Sequence, residues 1–456
     1  MFQIIKQHIH EILQTLRGKE GSDSITQHLV KGASGAFGIN VGSNILLFIL
    51  SVILARSLGA AEYGVYMYVL TWILALSMPA GMGLPRMLVR NVASYHEQSE
   101  WGLIRGLVRW TNLIVLSASL ATIILVIAIT FFLKPKINTE SLDILWLALI
   151  LLPILTYIRL QQSTMQGFHR VVIGSLPEAI IQPLIFILLT GALYVLFKEH
   201  FDAYWVVFIQ ILATFAALFT SIYLLRKTIP ANVKQSKIKY EKKIWLRSAL
   251  VLLFMGGLNI INSRADILML GAITGTDSVG IYSIASRGAE FITFLMIPIH
   301  AALGPTIAKL YTSHDTERLQ RIITKSTWIT AALSLPIALG FIIFGYWFLL
   351  IFGTEFTQGQ LALNILSIGK IASVIMGPVI LLLVMTHHER DATLALALSA
   401  ALNILLNTIL IPQWGLNGAA TATTASFILS NILMAIFVYR RIQINPGIIK
   451  IKFGHK

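Results

Sequence analysis

The sequence contains no cysteine and little charge: Asp, Glu, Lys and Arg make up 12% of its 456 residues, about half of the ~25% usual in a soluble domain. Without cysteine there are no disulfides, thiolate metal sites or cysteine nucleophiles. No glycine-rich loop with a following lysine is present to cradle nucleotide phosphates, so ATP hydrolysis by this chain is not expected. No nucleophile–base–acid set lies outside the apolar segments, and no polar domain is large enough to house a glycosyltransferase site. His387 and His388 are adjacent in a short polar segment rather than at helical spacing, which a metal pair would want. No cleavable signal peptide is visible, because the first 31 residues carry four basic side chains but no apolar core ending in small residues. In place of charge there are apolar side chains, 56% of the chain, with a mean hydropathy of +0.78. The composition is that of an integral membrane protein.

A helix needs about 20 apolar residues to cross the hydrocarbon core. Twelve segments meet or approach that length: 33–55, 63–85, 110–133, 144–162, 179–197, 203–225, 248–272, 279–303, 326–352, 361–386, 392–411 and 416–439. The expected fold is therefore all-α, with twelve transmembrane helices. Alternate loops are strongly asymmetric in charge. The side holding both termini receives 28 of the 35 Lys and Arg residues, the other side only Arg56, Lys134, Lys136 and Lys198. The positive-inside rule places both termini in the cytoplasm. The formal charge of +15 is thus a topology signal, and no nucleic-acid partner is expected.

Two stretches repeat one another 216 positions apart. Leu58-Gly59-Ala60-Ala61-Glu62-Tyr63-Gly64-Val65-Tyr66 follows the first span, and Thr274-Gly275-Thr276-Asp277-Ser278-Val279-Gly280-Ile281-Tyr282 follows the seventh. Such duplication marks a transporter built from two parallel six-helix bundles. The expected organisation is an amphipathic N-terminal segment (1–32), a first lobe (33–225), a basic linker (226–247), a second lobe (248–439) and a basic tail (440–456). Phe2, Ile5, Ile9, Ile12 and Leu16 form one helical stripe suited to the inner membrane surface; a frayed basic tail is the alternative. The linker lysines Lys234, Lys237, Lys239, Lys242 and Lys243 would face anionic lipid headgroups.

Ionisable groups in mid-membrane cost about 2.5–3.5 kcal/mol each on insertion scales. They occur here at Arg264 and Asp266 in the seventh span, Arg287 and Glu290 in the eighth, and Lys370 in the tenth. At 1.5 Å per residue, the three cations lie roughly 12–13 Å from the outer ends of their helices. One level of cations on three helices is tolerable only beside a wet cavity. The first half offers Asn40 and Asn44, on one helical face, and Arg159, which can snorkel from a helix end. Internal pairing is the alternative use of these charges: Glu290 follows Arg287 by three residues, and Asp266 is placed to partner Lys370. Three cations against two carboxylates leave the cavity positive, and arginine forks suit phosphate oxygens. Pro79 and Pro85 in the second span, and Pro298 and Pro305 in the eighth, break corresponding helices of the two halves, as in substrate-lining elements of transporters.

The stretch Leu54–Tyr66, together with Arg264-Ala265-Asp266, Val279–Ala285, Leu402-Asn403-Ile404, Ile411-Pro412 and Gly415–Ala420, resembles the polysaccharide-export flippases of the multidrug/oligosaccharidyl-lipid/polysaccharide (MOP) superfamily, whose fold is MATE-like. The resemblance implies two six-helix lobes around a cavity lined by spans one, two, seven and eight. It implies alternating-access transport of an undecaprenyl-diphosphate-linked oligosaccharide, an O-antigen, capsule or exopolysaccharide repeat unit, across a bacterial inner membrane. Arg264 and Arg287 would hold the diphosphate, with Lys370 in support. Asp266 and Glu290 would be proton or sodium coupling sites, with no other cofactor. The implied partners are the lipid-linked oligosaccharide, membrane lipids, and a polysaccharide polymerase with chain-length proteins. The alternative is a cation-coupled multidrug exporter of the same superfamily, which would prefer acidic residues in the first lobe; spans one to six as drawn contain none.

Overall fold

Apolar segments in a bilayer must satisfy their backbone hydrogen bonds internally, and every regular element among the described residues is helical. The computed structural model describes residues 23–133, 139–196, 201–294 and 296–448. The amphipathic stripe expected over residues 2–16, and the basic positions Lys134, Lys136 and Lys198, lie outside them.

Helix α1 (Asp23–Gly81) leads through Met82 and Gly83, both at positive φ, into α2 (Leu84–Glu97). Then come α3 (Trp101–Leu133), α4 (Thr139–Ala148) and α5 (Leu151–Gly167). Next are α6 (Val171–Leu176), a π-helical turn (Pro177–Ile181), α7 (Gln182–Leu196) and α8 (Ala203–Thr228). A short α9 (Ala231–Gln235) lies in the linker. The second half comprises α10 (Lys242–Thr274), α11 (Thr276–Phe294), α12 (Met296–Thr312) and α13 (Thr316–Leu350). It ends with a 3-10 turn (Thr354–Gly359), α14 (Gln360–Met376), α15 (Val379–Met385) and α16 (Glu389–Ile442).

Among the described residues, nine helical stretches are long and apolar enough to cross a membrane, or ten if the pair bent by 43° between α11 and α12 forms one span. Two of the nine, Phe37–Gly81 and Glu389–Ile442, run for 45 and 54 residues, more than twice the ~20 that a bilayer requires. Each is interrupted at one non-helical glycine, Gly59 and Gly415 respectively. Segments that the hydropathy pattern separates are here joined end to end.

The repeated sequence motif is also a repeated backbone. Gly59 has φ 73° and ψ 179°, and Gly275 has φ 93° and ψ 173°, a region open essentially to glycine alone. Each lets the chain turn back at the end of one long helix and begin the next. Five residues on, Gly64 and Gly280 pack backbone against backbone, which brings the two halves together at this end.

Core packing follows the same division. One apolar cluster draws on both halves, joining Leu54, Tyr63 and Tyr66 to Val279, Tyr282 and Phe356. A second joins Leu84, Met87, Leu107 and neighbours of the first half to Trp245 at the start of α10. A third, around Ile307, Ile323, Leu382 and Val438, belongs to the second half alone. The halves therefore share a core near Gly59 and Gly275, α10 also packs on the first half near Gly83, and the cluster around Ile307 belongs to the second half alone.

The linker is held by protein contacts. The Lys239 amide donates to the Gly102 carbonyl at 3.0 Å, and its ammonium pairs with Glu100 at 2.9 Å. Arg105 donates to the Ser236 carbonyl at 2.7 Å, Tyr95 to Glu241 at 2.9 Å, and the Trp245 indole to the Tyr95 hydroxyl at 3.0 Å. Lys234 is engaged by the Arg226 carbonyl and Lys242 lies over the Tyr240 ring. Of the five linker lysines expected at lipid, Lys237 and Lys243 have no such side-chain contact among the described residues.

Candidate substrate cavity

A cavity of about 510 Å³ lies between the halves, walled by α1, α5, the Pro177–Ile181 turn, α7 and α8 on one side and by α10 and α11 on the other. Its charged lining is Arg159 and Glu178 from the first half, and Arg264, Arg287 and Glu290 from the second. With three cations against two carboxylates, the lining is positive by one charge.

Arg264 and Arg287 reach the cavity from adjacent helices, and no described carboxylate lies within ion-pair distance of either. Arg287 is near enough to the buried Tyr63 to hydrogen-bond it across the halves. The pairing of Arg287 with Glu290 allowed by their spacing does not form; Glu290 is exposed and faces the cavity. Unpaired guanidinium groups in a low-dielectric setting are costly unless water or an anion solvates them.

Asp266 and Lys370 sit elsewhere. Asp266 follows Arg264 by two residues, which turns it by about 200° to the other side of the helix. It is 5% exposed and accepts hydrogen bonds from the Tyr282 hydroxyl at 2.6 Å, the Thr423 hydroxyl at 3.1 Å and the Ile267 amide at 2.8 Å. Lys370 does not line the cavity; its ammonium lies 4.7 Å above the Phe427 ring. No Asp266–Lys370 ion pair forms among the described residues. Depth along a helix is legible from sequence, but its direction of facing depends on neighbours, and here α14 turns Lys370 toward α16.

Asn40 lines the cavity. Asn44 does not, and its amide donates to the Asn40 carbonyl at 2.8 Å within the same helix.

Three features escaped the sequence reading. Arg159, read as a snorkelling helix-end residue, lines the cavity. Glu178 fell one residue outside the fifth span as drawn, yet also lines the cavity, so the first half is not free of acid there. The two pair at 3.4 Å. Finally, the Gln210 side-chain oxygen Oε1 and the Ser283 hydroxyl are buried at the cavity wall without hydrogen-bond partners among the described residues. The helix break at Pro177 was the available signal for Glu178, and nothing in the sequence marked Gln210 or Ser283. No group of three His, Asp or Glu side chains able to hold a metal occurs among the described residues.

Comparison with known proteins adds three findings. The profile of the polysaccharide biosynthesis protein family matches residues 29–311, and the MatE profile matches 252–413. Among curated proteins, the probable flippase AglR of Haloferax volcanii is 27% identical over 189 residues, 41% of this chain and 40% of that protein. The probable low-salt glycan biosynthesis flippase Agl15 of the same organism is 28% identical over 177 residues, 38% of this chain and 37% of that protein. The chain thus spans about two fifths of the length of these relatives. Among solved structures, an inward-facing multidrug resistance MATE transporter of the MOP superfamily superposes with a TM-score of 0.72 at 13% identity, covering 89% of this chain and 98% of that one. The lipid II flippase MurJ, in an inward closed conformation, superposes at 0.69 with 16% identity, covering 88% and 87%. A Pyrococcus furiosus MOP transporter described as having a binding pocket of reversed polarity gives 0.65 at 13% identity, covering 91% and 95%. At these identities the superpositions establish the fold alone, the one these solved transporters share.

Proposed function

Because the chain belongs to the polysaccharide biosynthesis protein family, we propose that it is a transporter, not an enzyme, and that it flips a diphosphate-linked glycolipid from one leaflet to the other. The observation that carries this reading is the pair Arg264 and Arg287, unpaired and facing a cavity between the two halves. A diphosphate offers the anionic oxygens that two guanidinium forks bind, and it stabilises charge that the protein leaves open. The relatives named as flippases support a glycan-bearing lipid as cargo. On this reading the two stretches broken at Gly59 and Gly415 each count as two spans and the bent pair as one. The chain then crosses twelve times, with both termini on the basic, cytoplasmic side.

The mechanism follows alternating access. The cargo headgroup docks on Arg264 and Arg287 while the lipid tail stays in the bilayer. The shared core near Gly59 and Gly275 then parts as the lobes rock, and the cavity opens toward the other leaflet. Glu290, exposed in the cavity, and Asp266, enclosed by Tyr282 and Thr423, are the carboxylates available to couple a proton or sodium ion to the return. A polyprenyl carrier in the cytoplasmic membrane fits this cargo.

A cation-coupled drug exporter is the second reading, favoured by Glu178 in the first-half wall. Arg159 offsets that charge at 3.4 Å, so the first half presents no free carboxylate to an organic cation. The test is glycan display in cells deleted for this gene. Wild-type chain restores display, and Arg264→Ala and Arg287→Ala each fail to. Display at the wild-type level with both variants would end the docking role.

A further inference from the structure

The Arg159–Glu178 pair has features that a purely structural ion pair does not need. It lies on the cavity wall, with side chains 36% and 29% exposed. The contact is a single one, Nε to Oε1, at 3.4 Å. Charge-assisted hydrogen bonds to arginine run nearer ~2.7–2.9 Å and are often bidentate. Among the described residues its one other partner is the Ser77 hydroxyl, which accepts from Nη1 at 3.4 Å. Most of the five donors of the guanidinium are therefore unspent or weakly spent. Arg159 also borders a second cavity of about 310 Å³ between the end of α1 and α10, so it stands at the partition between two open spaces.

Glu178 is carried on the π-helical turn Pro177–Ile181. Such turns are wider by one residue than an α-helical turn, are rare, and concentrate at functional sites. Here the turn projects a carboxylate into a cavity whose other charged lining is mainly arginine. A carboxylate there resembles a phosphate oxygen in charge and reach.

We propose that Arg159 is a third anion-binding group of the cavity and that Glu178 masks it as a built-in competitor, displaced when a diphosphate headgroup docks. The inference rests on the proposed glycolipid reading and deepens it. Glu178 acts through Arg159, so it is a positioning residue that sets affinity. While the cavity is empty, Glu178 neutralises one cation. When the headgroup arrives, Arg159 changes partner, and the carboxylate swings to the water of the cavity. No bond is made or broken, and the exchange keeps affinity moderate, so that cargo can leave on the far side.

The experiment measures binding of undecaprenyl diphosphate, and separately of inorganic diphosphate, to purified full-length protein in nanodiscs. Glu178→Gln binds both probes about two- to five-fold more tightly than wild type, the gain that a partly exposed ion pair can withhold. The double variant Glu178→Gln/Arg159→Gln loses that gain. A Glu178→Gln affinity equal to or weaker than wild type overturns the proposal, as does a gain that survives loss of Arg159 or appears for the lipid alone. An independent readout uses the wild-type protein: a structure with undecaprenyl diphosphate bound shows a phosphate oxygen on Arg159 and Glu178 beyond ion-pair distance, and an intact pair would overturn the inference. Arg264→Ala/Arg287→Ala is run alongside. If that variant binds as wild type does, the glycolipid reading itself fails. If it loses binding while Glu178→Gln changes nothing, the masking alone fails.

Discussion

Gly64 and Gly280 face each other across the two halves, and their contact is reciprocal. A Cβ on Gly64 would run into the Thr276 carbonyl oxygen and lie 3.0 Å from the Gly280 nitrogen. A Cβ on Gly280 would run into the Ala60 carbonyl oxygen and lie 3.0 Å from the Gly64 nitrogen. Ala60 and Thr276 stand at the same 216-residue offset as the two glycines, so the sequence repeat is expressed as a near-twofold contact. Small residues at a helix crossing let backbones approach closely. Gly64→Ala and Gly280→Ala should each cost about 1–3 kcal/mol by overpacking, read as a lowered unfolding temperature in detergent. Gly38→Ala, where the added Cβ meets nothing within 4 Å, should be neutral or slightly stabilising. Equal effects at the three positions would contradict the contact.

The same end carries a polar latch. Arg56 donates to the carbonyls of Ile351 at 2.6 Å and Leu350 at 3.3 Å, at the C-terminal end of α13. Glu355 accepts from the Ala60 amide at 2.7 Å. A cation at a helix C-terminus and a carboxylate at a helix start both match the helix dipoles. Arg56→Ala/Glu355→Gln should shift the protein toward the state open at this end. Since the chain has no cysteine, Met67→Cys in the cavity wall supplies a single reporter. The latch variant should react several-fold faster with an impermeant maleimide applied from that side. An unchanged rate would remove the latch from the account.

Lys370 and Arg264 separate by position despite similar depth. Arg264 faces the cavity, and Lys370 lies over Phe427. Lys370→Met should therefore leave binding of a diphosphate lipid within about two-fold of wild type while lowering stability by about 1 kcal/mol through the lost cation–π contact. Arg264→Ala should weaken binding about ten-fold or more, as a charge-assisted hydrogen bond is lost. Parallel losses in the two variants would return Lys370 to the site.

Trp245 anchors the linker. It is fully buried, packs on Trp110, and donates to Tyr95, which in turn donates to Glu241. Trp245→Ala should cost about 3–5 kcal/mol and Tyr95→Phe about 1 kcal/mol. Proteolysis of the 226–247 linker should accelerate in the first and change little in the second. Similar protease sensitivity in wild type and Trp245→Ala would show that lipid, rather than protein, holds the linker.

Much of this was legible in the chain. The motif around Gly59 and Gly275 located the two helix breaks, since both positions require a backbone that glycine alone adopts readily. Pro85 and Pro298 stand just after the break at Met82–Gly83 and the bend between α11 and α12, whereas α1 runs on past Pro79 and α12 past Pro305. Arg264 and Arg287 stood out because arginine in an apolar segment demands solvation. What the sequence withheld was azimuth and neighbourhood. Asp266 lies two residues from Arg264 and faces the opposite way. Glu178 was hidden by a span boundary at residue 179, and Arg159 by the ease with which arginine snorkels. Asn44 shares a face with Asn40 yet spends its amide on its own helix. Each depends on which helix packs beside it, and a hydropathy pattern carries no such information.

The central claim is that Arg264 and Arg287 hold the anionic headgroup that the protein carries across the bilayer. The most direct test reconstitutes the full chain in vesicles with a fluorescent, diphosphate-linked oligosaccharide lipid and follows its movement between leaflets. Wild-type protein should equilibrate the lipid, and Arg264→Ala/Arg287→Ala should slow it at least about ten-fold with its fold intact by thermal unfolding. Equal rates in the two proteins would contradict the account.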